Sequence, residues 1–152
     1  MHFNKYKIYH FIDKLDKEKL QKINKNISLI YRNYNKKVDK QLLVDLKNFC
    51  KKRRIKVYIS NDIKLALKFN FDGVYLPSFN KSLKINVYSK KTKFLVLGSA
   101  HNLKEIKIKE KQNVNAIFLA SLFNKKKTYL GLKKFKILRS KTLLKVIALG
   151  GI

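Results

Sequence analysis

Short apolar, β-branched runs recur along this chain with an amphipathic or polar stretch between them, and that alternation restricts the fold more than any other feature. The runs are KIYHFID (7–13), ISLIYRNY (27–34), IKVYIS (55–60), GVYL (73–76), FLVLGS (94–99), AIFLAS (116–121) and KVIALGGI (145–152). Each has the length and residue types of a strand. Several are apolar without interruption, as expected for strands buried on both faces of a parallel sheet. Between them, DKQLLVDLKNFCKKRR (39–54) places Leu42, Leu43, Leu46, Phe49 and Cys50 at helical spacing behind Asp39, a good N-cap. DIKLALKF (62–69) opens a short helix on Asp62. KEKLQKI is a short helical piece, and LKEIKIKEK follows a start at His101 or Asn102. GLKKFKILRSKT reads as a weak helix, and residues 80–92 are polar and ambiguous.

Strand–helix alternation of this kind predicts an α/β domain on a parallel sheet. Polar residues gather just past the C-terminal ends of the strands: Asn33, Asn61 and Asp62, Ser78, Ser99 to His101, Ser121, and the pair Gly150-Gly151. In a (β/α)8 barrel that rim carries the active site. In a doubly wound sheet the ligand crevice lies at the same ends of the strands. Pattern alone leaves the two architectures open.

Composition sets the outer limits. Thirty-seven Lys and Arg against nine Asp and Glu give a formal net charge of +28 in 152 residues, yet 45% of the chain is hydrophobic. A disordered polycation is thereby excluded. The lysines are spread throughout and interleaved with Ile, Asn, Tyr and Phe, with small clusters at Lys51-Lys52-Arg53-Arg54 and Lys125-Lys126-Lys127. They mark no nucleic-acid-binding module, so nucleic acid is expected to bind only nonspecifically. The field would steer small phosphorylated substrates inward. A single cysteine, Cys50, excludes an intramolecular disulfide, and its helical position assigns it to the core. No apolar run approaches a membrane span of roughly 18 residues, and the N-terminus lacks signal-peptide character, so a cytoplasmic, soluble protein is expected.

Four segments in register resemble one family. SNDIKLALKFNFDGVYLP, GSAHNLKE and the terminal VIALGGI resemble the thiamine-phosphate synthases and the related thiazole tautomerases. That family has a strand ending in Asn-Asp, then "LAL…GADGVHL", a strand ending in Ser-x-His, and a strand ending in Ile-Gly-Gly-Ile. The resemblance runs from Tyr9 to Ile152. It implies a TIM barrel forming a single domain over 1–152, truncated after its seventh strand because no eighth is evident before Ile152. It also implies a transferase of thiamine biosynthesis that joins a pyrimidine methyl pyrophosphate to a thiazole phosphate and releases pyrophosphate, with Mg2+.

On that resemblance, Arg32 matches the arginine that holds pyrophosphate oxygens in a fork, Asn61 and Asp62 match the Asn-Asp pair with Asp62 a magnesium ligand, and Ser99 matches the serine that touches pyrophosphate. Gly150 and Gly151 match the glycines whose backbone N–H groups approach the thiazole phosphate. In the tautomerase branch the residue matching His101 is the acid–base catalyst, which makes an isomerase using His101 the alternative reading. A non-catalytic basic protein binding phosphate or nucleic acid is the second alternative. Simpler roles remain for the same residues: Asp62 as a helix cap, Arg32 as a solvated strand-end charge, the glycine pair as a turn.

The chain departs from the family pattern at several places. Ile30 stands where the family has glutamine, Tyr34 where it has lysine, Asn80 where it has the second magnesium aspartate, and Pro77-Ser78 where it has Gly-Gln. FNKKKTYLG replaces a threonine-rich loop, with Lys125 to Lys127 either a solvated run or a substitute phosphate clamp. These losses imply a diminished transferase.

Overall fold

The computed structural model describes residues 7–24, 26–34, 37–85, 93–123 and 129–150. Strands β1 (Ile8–Ile12), β2 (Ile27–Tyr31), β3 (Val57–Ser60), β4 (Gly73–Leu76), β5 (Leu95–Ala100), β6 (Ala116–Ala120) and β7 (Lys145–Leu149) follow one another in chain order through the sheet. Helices α1 (Lys17–Gln21), α2 (Lys40–Arg53), α3 (Ile63–Lys68), α4 (Leu103–Lys111) and α5 (Gly131–Ser140) alternate with them. All seven expected strands form, and their order shows no reversal. A doubly wound sheet reverses strand order at its switch point, so the open choice closes on the TIM-barrel type. Lys125 to Lys127 and Gly151 lie outside the described residues. The chain divides into two compact units, Met1–Gly73 and Val74–Ile152.

In the first unit, β1 pairs in parallel with β2 through Ile8↔Ile27 to Ile12↔Tyr31, and β2 with β3 through Leu29↔Val57 to Tyr31↔Ile59. Leu29, Ile30, Val57 and Ile59 form its core with Leu43, Leu46 and Cys50 of α2. The expected helix is thus seated by its expected apolar face, and burial pushes the Cys50 thiol up to about 12, which keeps it inert. Asp16, Asp39 and Asp62 each cap a helix, accepting from Lys19, Leu42 and Leu65 backbone N–H at 3.1, 3.1 and 2.8 Å. Part of the basic cluster at 51–54 is structural. Arg53 donates to Gln21 O at 2.6 Å and Ile23 O at 3.1 Å, fastening α2 to the end of α1.

In the second unit, β5 pairs in parallel with β6 from Leu97↔Ala116 to Ala100↔Leu119, and β6 with β7 from Ala116↔Lys145 to Ala120↔Leu149. Ala100, Ile106, Ile117, Leu119, Leu130 and Leu138 pack as one cluster. Asn102, one of the two expected start positions, caps α4 by accepting from Glu105 N at 3.0 Å.

One turn recurs between helix and strand in both units. A left-handed residue ends the helix (Arg54, Asn70, Asn113, with φ 57, 53 and 52), and a buried apolar residue follows (Ile55, Phe71, Val114). The N–H of that apolar residue returns to the helix at Cys50, Ala66 or Lys109 O, at 2.9, 2.9 and 3.3 Å. The next residue clamps the preceding strand. Asp72 accepts from Val57 N at 3.0 Å and donates its own N–H to Val57 O at 3.0 Å. Asn115 does the same to Val96, at 2.7 and 2.7 Å.

Each clamp satisfies the first N–H of a buried strand. Asn115→Ala is expected to lower stability by about 1–3 kcal/mol through the orphaned Val96 N–H. Asp72→Asn should lower it far less, because the acceptor survives and only the 3.6 Å contact with Lys47 is lost. Urea denaturation of the two variants checks this; equal losses would show that the Asp72 charge, rather than its acceptor oxygen, holds the turn.

Candidate active site at the strand ends

In the first unit the strand-end residues come from neighbouring strands. Arg32 directly follows β2, its backbone N–H donating to Ile12 O at 2.8 Å. Its side chain is exposed, with the guanidinium 5.2 Å from the centre of the Phe11 ring. That face-on contact steadies a cation without consuming its donors. Asn61 and Asp62 follow β3, both exposed, Asn61 in the left-handed region at φ 61. The Tyr34 hydroxyl lies 2.7 Å from Ser60 Oγ, so the ends of β2 and β3 are tied by side chains. Ile30 is fully buried and belongs to the core.

In the second unit, Ser99 lies within β5, 4% exposed. His101 comes just after that strand. Its backbone N–H donates to Glu105 Oε2 at 2.7 Å, and its ring Nδ1 lies 3.0 Å from the same oxygen. With the carboxylate accepting, Nδ1 carries the hydrogen and Nε2 keeps its lone pair. Helical i, i+4 spacing and the Asn102 cap produce this pair. Gly150 follows β7 at φ 101, and a Cβ built there would stand 2.7 Å from Ser121 Oγ and 3.3 Å from Ser121 Cα. Leu122 N to Leu149 O at 2.9 Å and Phe123 N to Gly150 O at 3.0 Å lock those two strand ends together.

The loop after β4 holds a feature that the sequence conceals. Lys109 of α4 is fully buried, and its ammonium donates to Pro77 O at 2.9 Å, Asn80 O at 2.8 Å and Gln112 Oε1 at 2.9 Å. Gln112, also fully buried, donates through Nε2 to Asn80 O at 3.1 Å, Asn80 Oδ1 at 3.3 Å and Ser82 O at 2.9 Å. Burial lowers the Lys109 pKa to about 8, partly offset by the Glu105 charge.

Among known proteins, the family model for thiamine monophosphate synthase matches residues 14–152. This chain belongs to the thiamine monophosphate synthase family. Thiamine phosphate pyrophosphorylase from Pyrococcus furiosus superposes with a TM-score of 0.68 at 17% identity, covering 98% of this chain and 77% of that one. The U32 peptidase Mk0906 superposes at 0.65 with 10% identity, over 93% of this chain and 67% of that one. At such identities these likenesses speak for the TIM-barrel-type fold alone. No curated protein sequence matches the chain.

Among the described residues, no group of three or more His, Cys, Asp or Glu could by itself enclose a metal ion. Magnesium is commonly held by one or two carboxylates, the rest of its shell being phosphate oxygens and water. Asp62 suits that arrangement, since its cap bond uses Oδ1 and the exposed carboxylate has a second oxygen. Asn80, at the position of the thiamine monophosphate synthase family's second aspartate, does not. Its Oδ1 already accepts from Ser82 N at 3.0 Å as well as from Gln112.

Proposed function

We propose that this chain is a transferase of thiamine biosynthesis, coupling a pyrimidine methyl pyrophosphate to a thiazole phosphate with release of pyrophosphate. The observation that carries the reading is positional. Arg32, Asn61, Asp62, Ser99 and Gly150 each lie within the last turn of their strand or one to two residues beyond its C-terminal end, the end at which this fold builds its chemistry. In the reaction the bond from the pyrimidine methylene carbon to the diphosphate oxygen breaks, and its electron pair leaves with the oxygen. The thiazole nitrogen then donates its lone pair to that carbon. Such a step needs charge neutralised on the leaving group and two substrates aligned.

Arg32 offers a planar fork to diphosphate oxygens. Asp62 would hold magnesium, which supplies further neutralisation of the departing diphosphate. Asn61 adds a neutral polar contact, and Ser99 a hydroxyl. The left-handed backbone at Gly150 lets a phosphate approach where a side chain would obstruct it. Ile30, Tyr34 and Asn80 each replace a family contact, so turnover is expected to be slow. No helix among the described residues is long and apolar enough to cross a membrane, in keeping with a cytoplasmic enzyme acting on small phosphorylated substrates.

The test is pyrophosphate release by the full chain. Release that requires both substrates and magnesium is the expected result. No release above that of heat-denatured protein would overturn the reading.

A second reading has one specific observation behind it, the His101–Glu105 pair. A half-buried imidazole oriented by a carboxylate is a competent acid–base group, and thiazole tautomerisation requires only that a proton leave one ring position and return at another. His101→Gln is expected to leave pyrophosphate release within about twofold, since general acid–base help is worth far more than that where it is used. A loss of 10²-fold or more in thiazole isomerisation on the same substitution, with no pyrophosphate chemistry in the wild type, would favour the isomerase.

A further inference from the structure

Charge is costly to bury, and an apolar side chain would fill the inner face of α4 without that cost. Lys109 is nevertheless fully buried, and its three N–H donors meet three neutral oxygens, Pro77 O, Asn80 O and Gln112 Oε1. Two of these are backbone carbonyls of a single loop turned inward toward the ammonium. Gln112 supports the same loop by donating to Asn80 and Ser82. The lysine stem lies across Gly98 of β5, where an added Cβ would come within 2.9 Å of Lys109 Cδ. Strand, helix and loop are therefore fitted around this one cation. Glu105 is the charged group acting on it from its own helix, and that carboxylate is engaged with His101.

Gathering loop carbonyls around a point charge is what a bound metal ion does. We propose that Lys109 is a positioning residue whose ammonium organises the loop after β4 from within the protein, and that Asn80 is held as its acceptor instead of serving as a magnesium ligand. A divalent ion at Asn80 would meet a fixed positive charge and an amide oxygen already accepting two N–H groups. The metal half of the proposal rests on the transferase reading, with Asp62 as the one carboxylate for magnesium. The loop half stands on the geometry alone.

Mn2+ with inorganic pyrophosphate, followed by electron paramagnetic resonance on the full chain, tests the metal half. Asn80→Ala should leave Mn2+ affinity within about twofold, whereas Asp62→Asn should weaken it about 10–100-fold, as loss of a ligand or its support does. Asn80→Asp alone should gain little, and Asn80→Asp with Lys109→Met should bind Mn2+ about tenfold more tightly than wild type, because the carboxylate then faces no ammonium. Equal weakening by Asn80→Ala and Asp62→Asn would overturn the proposal. Absence of Mn2+ binding in the wild type would overturn the metal half together with the transferase reading.

Hydrogen exchange then decides the loop half. In Lys109→Met the amides of Asn80 and Ser82 should exchange about tenfold faster, the effect of one lost hydrogen bond, with β5 and β6 amides unchanged. Unchanged loop exchange would refute the lock. Should that variant not fold, amine acylation of the wild type replaces it. Lys109 should stay unlabelled while exposed Lys104, Lys107 and Lys111 of the same helix react; labelling at their rate would refute the lock.

Discussion

Asp62→Asn is expected to slow pyrophosphate release by about 10²–10³-fold, the usual effect of removing one preorganised electrostatic contact, with no loss of fold stability. The two consequences separate because Asp62 holds two positions at once. Its Oδ1 caps α3 through Leu65 N at 2.8 Å, and asparagine caps a helix about as well as aspartate. What the substitution removes is the charge. Asp62→Ala removes both, so its release rate should match that of Asp62→Asn while stability falls by about 1 kcal/mol. For a chain of this size that lowers the melting temperature by roughly 2–4 °C. Release rates and thermal melts of the two variants decide the matter together. Wild-type turnover in Asp62→Asn would leave the residue as a cap and nothing more.

Much of the fold could be read from the sequence because its strands are β-branched, short and separated by helical spacing. GVYL at 73–76 occupies β4 residue for residue, and the α2 stripe of Leu43, Leu46 and Cys50 is buried as its spacing predicts. The recurring turn was less visible. Its left-handed residue is asparagine at 70 and 113 and arginine at 54, with no glycine to announce it. The signal was still present in NFDG and NVNA, each an asparagine, an apolar residue and a short Asx side chain ahead of a strand. Asparagine tolerates the left-handed region. The arginine carries no such signal, since the packing of Ile55 beneath α2 imposes its conformation.

The site divides along similar lines. Residues at strand ends could be located because the strands could, and the i, i+4 spacing of His101 and Glu105 made their contact foreseeable. Lys109 could not be found this way. In LKEIKIKEK it sits three residues after Ile106 on the inward stripe, but in a chain with 37 basic residues one more lysine reads as surface. Its burial depends on carbonyls at Pro77 and Asn80, more than 28 residues away in sequence. Only tertiary structure brings those acceptors to it.

Gly150→Ala should be the most damaging single change to stability at these strand ends. An L-residue held at φ 101 carries strain of about 1–3 kcal/mol. Its Cβ would also stand 2.7 Å from Ser121 Oγ and 3.3 Å from Ser121 Cα. The hydroxyl can rotate aside; the Cα cannot, because Leu122 N to Leu149 O and Phe123 N to Gly150 O fix the segment around Ser121 against the end of β7. Overpacking of this kind adds about 1–3 kcal/mol, so the two effects sum to roughly 2–6 kcal/mol. At about 2–4 °C per kcal/mol, the melting temperature should fall by roughly 4–24 °C. Adding Ser121→Gly should restore the part due to the hydroxyl and leave the backbone strain. If Gly150→Ala melts within a degree of wild type, the backbone does not require glycine there. A full loss of thiazole phosphate binding in that still-folded variant would then show that the missing side chain serves the ligand alone.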